Sequence, residues 1–365
     1  MKRLLCITAN MNSGGAETFL MKVFRRLNQE KYGMDFCVNT KINDYQEEIL
    51  SLGGKIYYVP AKSKHPVKSF WSLRKIVKEN KYDYVIRVNE HALATIDLLA
   101  AKTGGAKVLA MRSSNTASDS KLKDCLHKLF RPLTITIPNV RFAPSTEAAE
   151  YTFGRNCIIN RKARLVHNGV DLNFYRFNRE SRNKVREEFG IADEEIVIGH
   201  IGRFNTQKNH LMLVDIFNEF QKSHSNSKLL LVGIGTLQES IRKKVISNKI
   251  EDKVIFANLR NDIPDVLSAM DVFVFPSFFE GMPNTVIEAQ ATGLPCVISN
   301  TITRESNITD LVSFVPVDVD LKIWISEIES AVKKDRTDTK SSFIEHKYDI
   351  DSVVKDFIRL VFGDE

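Results

Sequence analysis

The chain has 365 residues, 43% hydrophobic and 27% charged, which is ordinary globular composition and, at about 100–200 residues per domain, provides for two cores. No run reaches the roughly 18 consecutive apolar residues of a membrane span, the apolar segment after Lys2 and Arg3 breaks at Asn10 and Asn12 where a secretory leader would continue, and five scattered cysteines without a Cys-x-x-Cys pair indicate neither a disulfide framework nor structural zinc, as suits a reducing cytoplasm. The net charge of +7 is uneven: residues 1–175 hold 28 Lys and Arg against 15 Asp and Glu, or +13, and the remainder holds 24 against 30, or −6, so the first half suits an anionic partner such as phospholipid, lipid diphosphate or nucleic acid, or else is simply a solvated surface.

Residues 4–8 read as a strand, followed by a glycine-containing turn at 13–15 and a helix over 16–27 in which Phe19, Leu20, Val23, Phe24 and Leu27 share one face. Strands at 35–39, 55–59, 82–88 and 107–110 alternate with helical patterns such as 70–79 and 93–102. Such alternation predicts a parallel sheet covered by helices on both faces. Residues 163–174 contain the turn dipeptide Asn168-Gly169, show no helical period and mark the change of charge; they are expected to link two domains. A second series follows, with strands at 195–202, 228–232, 254–257, 272–275 and 295–299 and helices at 210–223 and 237–247, then amphipathic helices at 321–333 and 352–362. Two doubly wound α/β domains are therefore predicted in tandem, and ligands of such sheets bind at the carboxyl ends of the strands.

The most specific segment is Phe279-Glu280-Gly281-Met282-Pro283-Asn284-Thr285-Val286-Ile287-Glu288-Ala289, where a strand leads through a Gly-Pro turn into a helix that carries Glu288. A helix start offers backbone N–H groups and a positive dipole end to a diphosphate, and a carboxylate beside it accepts hydrogen bonds from sugar hydroxyls. The plainer alternative is that Glu288 complements the helix dipole and Glu280 is a solvated loop residue. Glutamates separated by seven residues within Pro-Ser-Phe-Phe-Glu-Gly-Met-Pro-Asn-Thr-Val-Ile-Glu-Ala-Gln-Ala, with Ala291-Thr292-Gly293-Leu294-Pro295 and Val297-Ile298-Ser299 after them, resemble the hallmark of retaining glycosyltransferases of family four, which have the GT-B fold. The resemblance is strongest from Asn168 to Asn300, and bacterial capsule and exopolysaccharide assembly enzymes are the nearest in kind.

The resemblance implies two Rossmann-like domains facing across a cleft: an acceptor-binding domain over 1–170, a nucleotide-sugar domain over 171–345, and a tail over 346–365 that returns to the first domain. In Gly202-Arg203-Phe204-Asn205-Thr206-Gln207-Lys208 it implies that Arg203 and Lys208 neutralise the donor diphosphate, roles for which a bidentate guanidinium and a point-charge ammonium are suited. It assigns the transferred sugar to Glu280 with the backbone of Gly281 and Met282, the ribose to Glu288, further donor contacts to Asn284 and Thr285 at the helix start, and the base to the loop carrying Arg260. Gly14 and Gly15 in the first turn either let the backbone approach a phosphate or acceptor or form a tight turn; the resemblance favours closure over the donor and points to Gly15. Arg112 stands where the family often has a histidine near the transferred sugar, on the acceptor or phosphate side, and His91 at another strand end is a further candidate beside the reading of a packed histidine.

The donor implied is a nucleotide diphosphate sugar, UDP-linked; no cofactor or bound metal is expected, since positioned cations can stabilise the leaving group. The acceptor implied is a glycan or a polyprenyl-pyrophosphate-linked glycan, with peripheral contact at the inner face of the membrane through the basic first domain. Within residues 121–131, Leu122, Cys125, Leu126, Leu129 and Phe130 share a face ringed by Lys121, Lys123, Lys128 and Arg131, as for a helix lying on anionic lipid or one packed on its own core. The competing functions are transfer to a soluble acceptor, a nucleotide-dependent oxidoreductase and a nucleic-acid binder. The oxidoreductase is disfavoured by Asn12-Ser13-Gly14-Gly15-Ala16-Glu17, which lacks the spaced glycines of a dinucleotide turn, and Leu229-Leu230-Leu231-Val232-Gly233-Ile234-Gly235 is only a partial fingerprint. No recognition motif supports nucleic acid.

Overall fold

In the computed structural model, which describes every residue except Ser13, Ile42, Glu90, residues 114–120 and Glu365, the chain forms two compact units, Met1–Gly169 with Lys347–Glu365, and Val170–His346. The first contains strands β1 (Lys2–Ile7), β2 (Tyr32–Val38), β3 (Ile56–Tyr58), β4 (Tyr84–Asn89), β5 (Val108–Ser113), β6 (Val140–Ala143) and β7 (Arg164–Leu165), ordered β3-β2-β1-β4-β5-β6-β7 and all parallel. Leu4 of β1 lies opposite Met34 on one side and Tyr84 on the other, so the winding reverses between β1 and β4. Leu4 and Cys6 join one core cluster and Leu5 and Ile7 the other, because successive side chains leave a strand on opposite faces. Helices therefore cover both faces of the sheet.

The tail helix Ile350–Phe362 belongs to the first unit's core, where the Phe357 ring lies 6.1 Å from Phe19 and 6.0 Å from Phe142. The segment expected to be a bare linker contributes β7 before the unit boundary: a two-residue edge strand is too short to show any sequence period. Strands β6 and β7 were not anticipated, nor was the helix Thr146–Phe153 between them.

The second unit holds β8 (Ile196–Ile201), β9 (Ser227–Val232), β10 (Val254–Phe256), β11 (Val272–Phe275), β12 (Cys296–Ser299) and β13 (Val312–Val315), parallel and ordered β10-β9-β8-β11-β12-β13. Here the order reverses between β8 and β11. The loops leaving the carboxyl ends of those two neighbours therefore open apart and leave a crevice, the position at which doubly wound sheets bind ligands.

Candidate active site

Two loops of the second unit meet at this reversal. After β8, Gly202 N–H donates to the Val232 carbonyl at 2.9 Å and Phe204 N–H to the Ile234 carbonyl at 3.0 Å, so the turn that carries Arg203 and Lys208 is bonded to the turn after β9. The crossing is tight enough to require glycine: Gly233 has φ +134°, and a Cβ there would sit 2.1 Å from the Gly202 carbonyl oxygen. The Val232-Gly233-Ile234-Gly235 sequence is thus explained by close backbone approach. Asn205 Oδ1 accepts from Lys208 N–H at 3.1 Å, capping the short 3-10 turn Thr206–Lys208, and Asn209 follows in the left-handed region at φ +54°.

The loop after β11 is fastened to that turn. Phe278 N–H donates to the Gln207 carbonyl at 2.9 Å and Gln207 Nε2 donates to the Phe279 carbonyl at 2.9 Å. Glu280 is thereby delivered to Lys208, whose Nζ donates to its Oε1 at 2.8 Å, with both side chains largely buried at 16% and 10% exposure. Lys208 Nζ also lies 4.5 Å from the centroid of the Phe275 ring. Glu280 is accordingly a paired, half-sequestered carboxylate at a strand end. Arg203, on the same turn as Lys208, is exposed, and its guanidinium makes no hydrogen bond or ion pair with a described residue.

Behind Lys208 lie two buried histidines. His200 Nδ1 donates to the Val274 carbonyl at 2.8 Å, and its ring is 4.5 Å from that of His210; neither His200 Nε2 nor either nitrogen of His210 has a hydrogen-bond partner among the described residues. Burial, then the neighbouring imidazole, holds His200 well below its ordinary range, and burial, then the Lys208 charge, pushes His210 down to about 4. Both are neutral at working pH and leave the positive charge here to Lys208 and Arg203.

From Glu280 the chain passes Gly281 and Met282 into the helix Asn284–Ala291, whose N-cap is Pro283 and which therefore has no side-chain cap on its first N–H groups. Asn284 and Thr285 begin this helix and Glu288 occupies its second turn. The Tyr175 hydroxyl donates to Glu288; burial, then this carboxylate, holds the Tyr175 hydroxyl well above its ordinary range, so it remains a donor. The sequence reading gave no role to Tyr175, Gln207 or the His200–His210 pair, because their partners are distant in the chain. Arg260, beyond β10, has its guanidinium bound by Glu188 and by Asp262, whose hydrogen bonds hold it above its ordinary range. Its charge is thus met within the protein.

The first-unit candidates divide into two groups. The helix Gly15–Arg26 starts after Gly14, where a Cβ would lie 2.4 Å from Glu17 Oε2. Arg112, at the end of β5, is buried against this helix with its guanidinium 3.8 Å from the Phe19 ring centroid and Nη2 donating to Asn168 Oδ1 at 2.5 Å; burial pushes it down to about 9 against the opposing charge of Glu17. His91 instead caps the 3-10 turn Ala92–Ala94, 5.3 Å from the His127 ring. The helix Lys121–Phe130 buries His127 and exposes Cys125, Lys128 and Leu129, so two members of the expected apolar face, Cys125 and Leu129, lie in solvent. Ser13, which fell within the sequence reading, and the side chains of Lys121, Leu122 and Lys123 lie outside the described residues.

A parallel α/β chain of two units, with a basic and an acidic side chain paired at the strand ends of the second, has the doubly wound architecture whose ligands bind at strand ends. Residues 181–348 match the family model for glycosyl transferases group 1, and residues 13–174 match that for glycosyltransferase family 4. The chain is 32% identical over 343 residues to EpsF of Bacillus subtilis, named as a glycosyltransferase, covering 92% of this chain and 89% of EpsF. It is 24% identical over 299 residues to the UDP-Gal:alpha-D-GlcNAc-diphosphoundecaprenol alpha-1,3-galactosyltransferase of Escherichia coli, covering 78% of this chain and 76% of that enzyme. The structure of Anabaena HepE in complex with UDP superposes with a TM-score of 0.81 at 16% identity, covering all of both chains, a likeness of fold. The protein belongs to glycosyltransferase family four and has the GT-B fold. That membership sets aside the oxidoreductase reading.

Proposed function

We propose that the protein moves a sugar from a UDP-linked donor, with retention of anomeric configuration and without a bound metal, to a glycan or polyprenyl-diphosphate-linked glycan in surface polysaccharide assembly, and that its basic first unit rests peripherally on anionic membrane. Arg203 and Lys208 meet the diphosphate, Glu280 and the amides of Gly281 and Met282 the sugar, the helix start at Asn284 and Thr285 a phosphate, and Glu288 the ribose. The bond from the anomeric carbon to the diphosphate oxygen breaks as the acceptor oxygen attacks the same face, and the acceptor proton passes to the departing phosphate. Two cations at that oxygen offset the developing charge, the interaction that contributes most in a water-poor site.

The observation that carries this reading is the buried Lys208–Glu280 pair, fastened by Gln207 at the strand-order reversal. A cation and a carboxylate in contact present a phosphate site and a hydroxyl site side by side. The UDP named with HepE and the diphosphoundecaprenol acceptor named for the E. coli relative support the donor and acceptor classes. Replacing Arg203 or Glu288 by Ala should weaken UDP binding about tenfold or more, the effect of losing one charge-assisted hydrogen bond of about 1.5–3 kcal/mol. Calorimetry with UDP, plus a transfer assay in EDTA, tests this: folded variants that bind UDP as tightly as the parent remove the residue assignment, and activity abolished by EDTA and restored by a divalent cation removes metal independence.

A further inference from the structure

The first unit has a charged surface that the candidate site does not use. Over residues 49–78 the sequence contains seven Lys and Arg and no Asp or Glu. The helix Pro66–Asn80 lies at the end of that stretch and buries Ser69, Leu73 and Val77. On the other side Val67 and Trp71, one turn apart, are 69% and 56% exposed. Lys68 and Lys75 stand three residues before and four after Trp71, both in solvent, with Lys78 a turn further. The Arg74 guanidinium lies 5.2 Å from the Trp71 ring centroid, and the helix's one acid, Glu79, is paired with Lys75 at 3.7 Å.

We propose that this outward face of the helix Pro66–Asn80 docks the protein on an anionic lipid surface. The proposal rests on the membrane contact suggested above and specifies where it is made. Each element matches the physics of a bilayer interface: indole settles at headgroup depth, a valine one turn away can enter the acyl boundary, and lysine stems lie along apolar surface while their ammonium groups reach phosphates. Each cation near such a surface contributes about 1 kcal/mol. An apolar protein partner would strip water from the lysines without compensation, and a nucleic-acid backbone would engage them but leave Val67 in water.

The chain carries its own reporter, since its other tryptophan, Trp324, is completely buried. Full-length protein without sugar donor is sedimented with vesicles of phosphatidylcholine, with and without phosphatidylglycerol, while tryptophan emission is recorded. Binding only to the anionic vesicles, a blue shift on binding and release by salt are expected. The double variant Lys68→Glu, Lys75→Glu should weaken binding at least tenfold and Trp71→Ala several-fold, whereas Lys222→Glu with Lys243→Glu in the second unit should leave it unchanged. Absence of binding to anionic vesicles, binding without a Trp71 shift, or binding that survives the Lys68/Lys75 reversal overturns the proposal. Because no donor or acceptor is present, failure here leaves sugar transfer standing, and inactive protein that still binds vesicles leaves this surface standing.

Discussion

Tyr175 orients one of the two glutamates, and its influence should be separable from catalysis. Removing its hydroxyl in Tyr175→Phe leaves the Glu288 carboxylate without one donor while preserving the ring, a loss on the order of 1 kcal/mol. The expected outcome is a KM for the sugar donor raised about fivefold with kcat nearly unchanged; equal KM values for variant and parent would make the contact merely structural. His210 permits a stability prediction. The unfolded chain's histidine titrates near 6.5 and the buried ring near 4, so between those values the unfolded state binds the extra proton. Stability therefore rises with pH across that window and is lost as pH falls from about 6.5 towards 4, by on the order of 3 kcal/mol for this group. His210→Leu, which replaces a ring with two unpartnered nitrogens, should reduce the fall in urea stability between neutral and acid pH. An unaltered fall would assign the acid sensitivity to other groups.

At the scale of elements, much was legible in the sequence. The helix His210–Ser223 and strand β11 have the bounds their patterns indicate, because a long amphipathic period and a short β-rich apolar run are strong local signals. The strands β6, β7 and β13 were not legible, being two to four residues long with at most two buried positions each. In the site, Glu280 and Lys208 were legible as residue types at strand ends. Their contact was not, since it depends on a long-range fastening through Gln207 to the Phe278 N–H and Phe279 carbonyl. Arg260 shows the converse: a basic residue in a suitable loop, already occupied by Glu188 and Asp262, which local sequence cannot reveal.

At the scale of the whole molecule, the chain crosses between its units twice, at Gly169–Val170 and at His346–Lys347. Phe357, fully buried among Phe19 and Phe142, ties the second crossing to the first unit's core. Phe357→Ala should cost about 3–5 kcal/mol, and denaturation followed separately in each unit should show the loss in the first; an equal loss in both would mean that they unfold as one cooperative body. This return of the tail also bears on how the protein is made. Residues 170–346 leave the ribosome as an uninterrupted stretch and can close as soon as they emerge, while Phe19 waits for a helix translated after them. The unit begun earlier is thus completed after the one begun later, and until then its apolar face must be kept from other nascent chains.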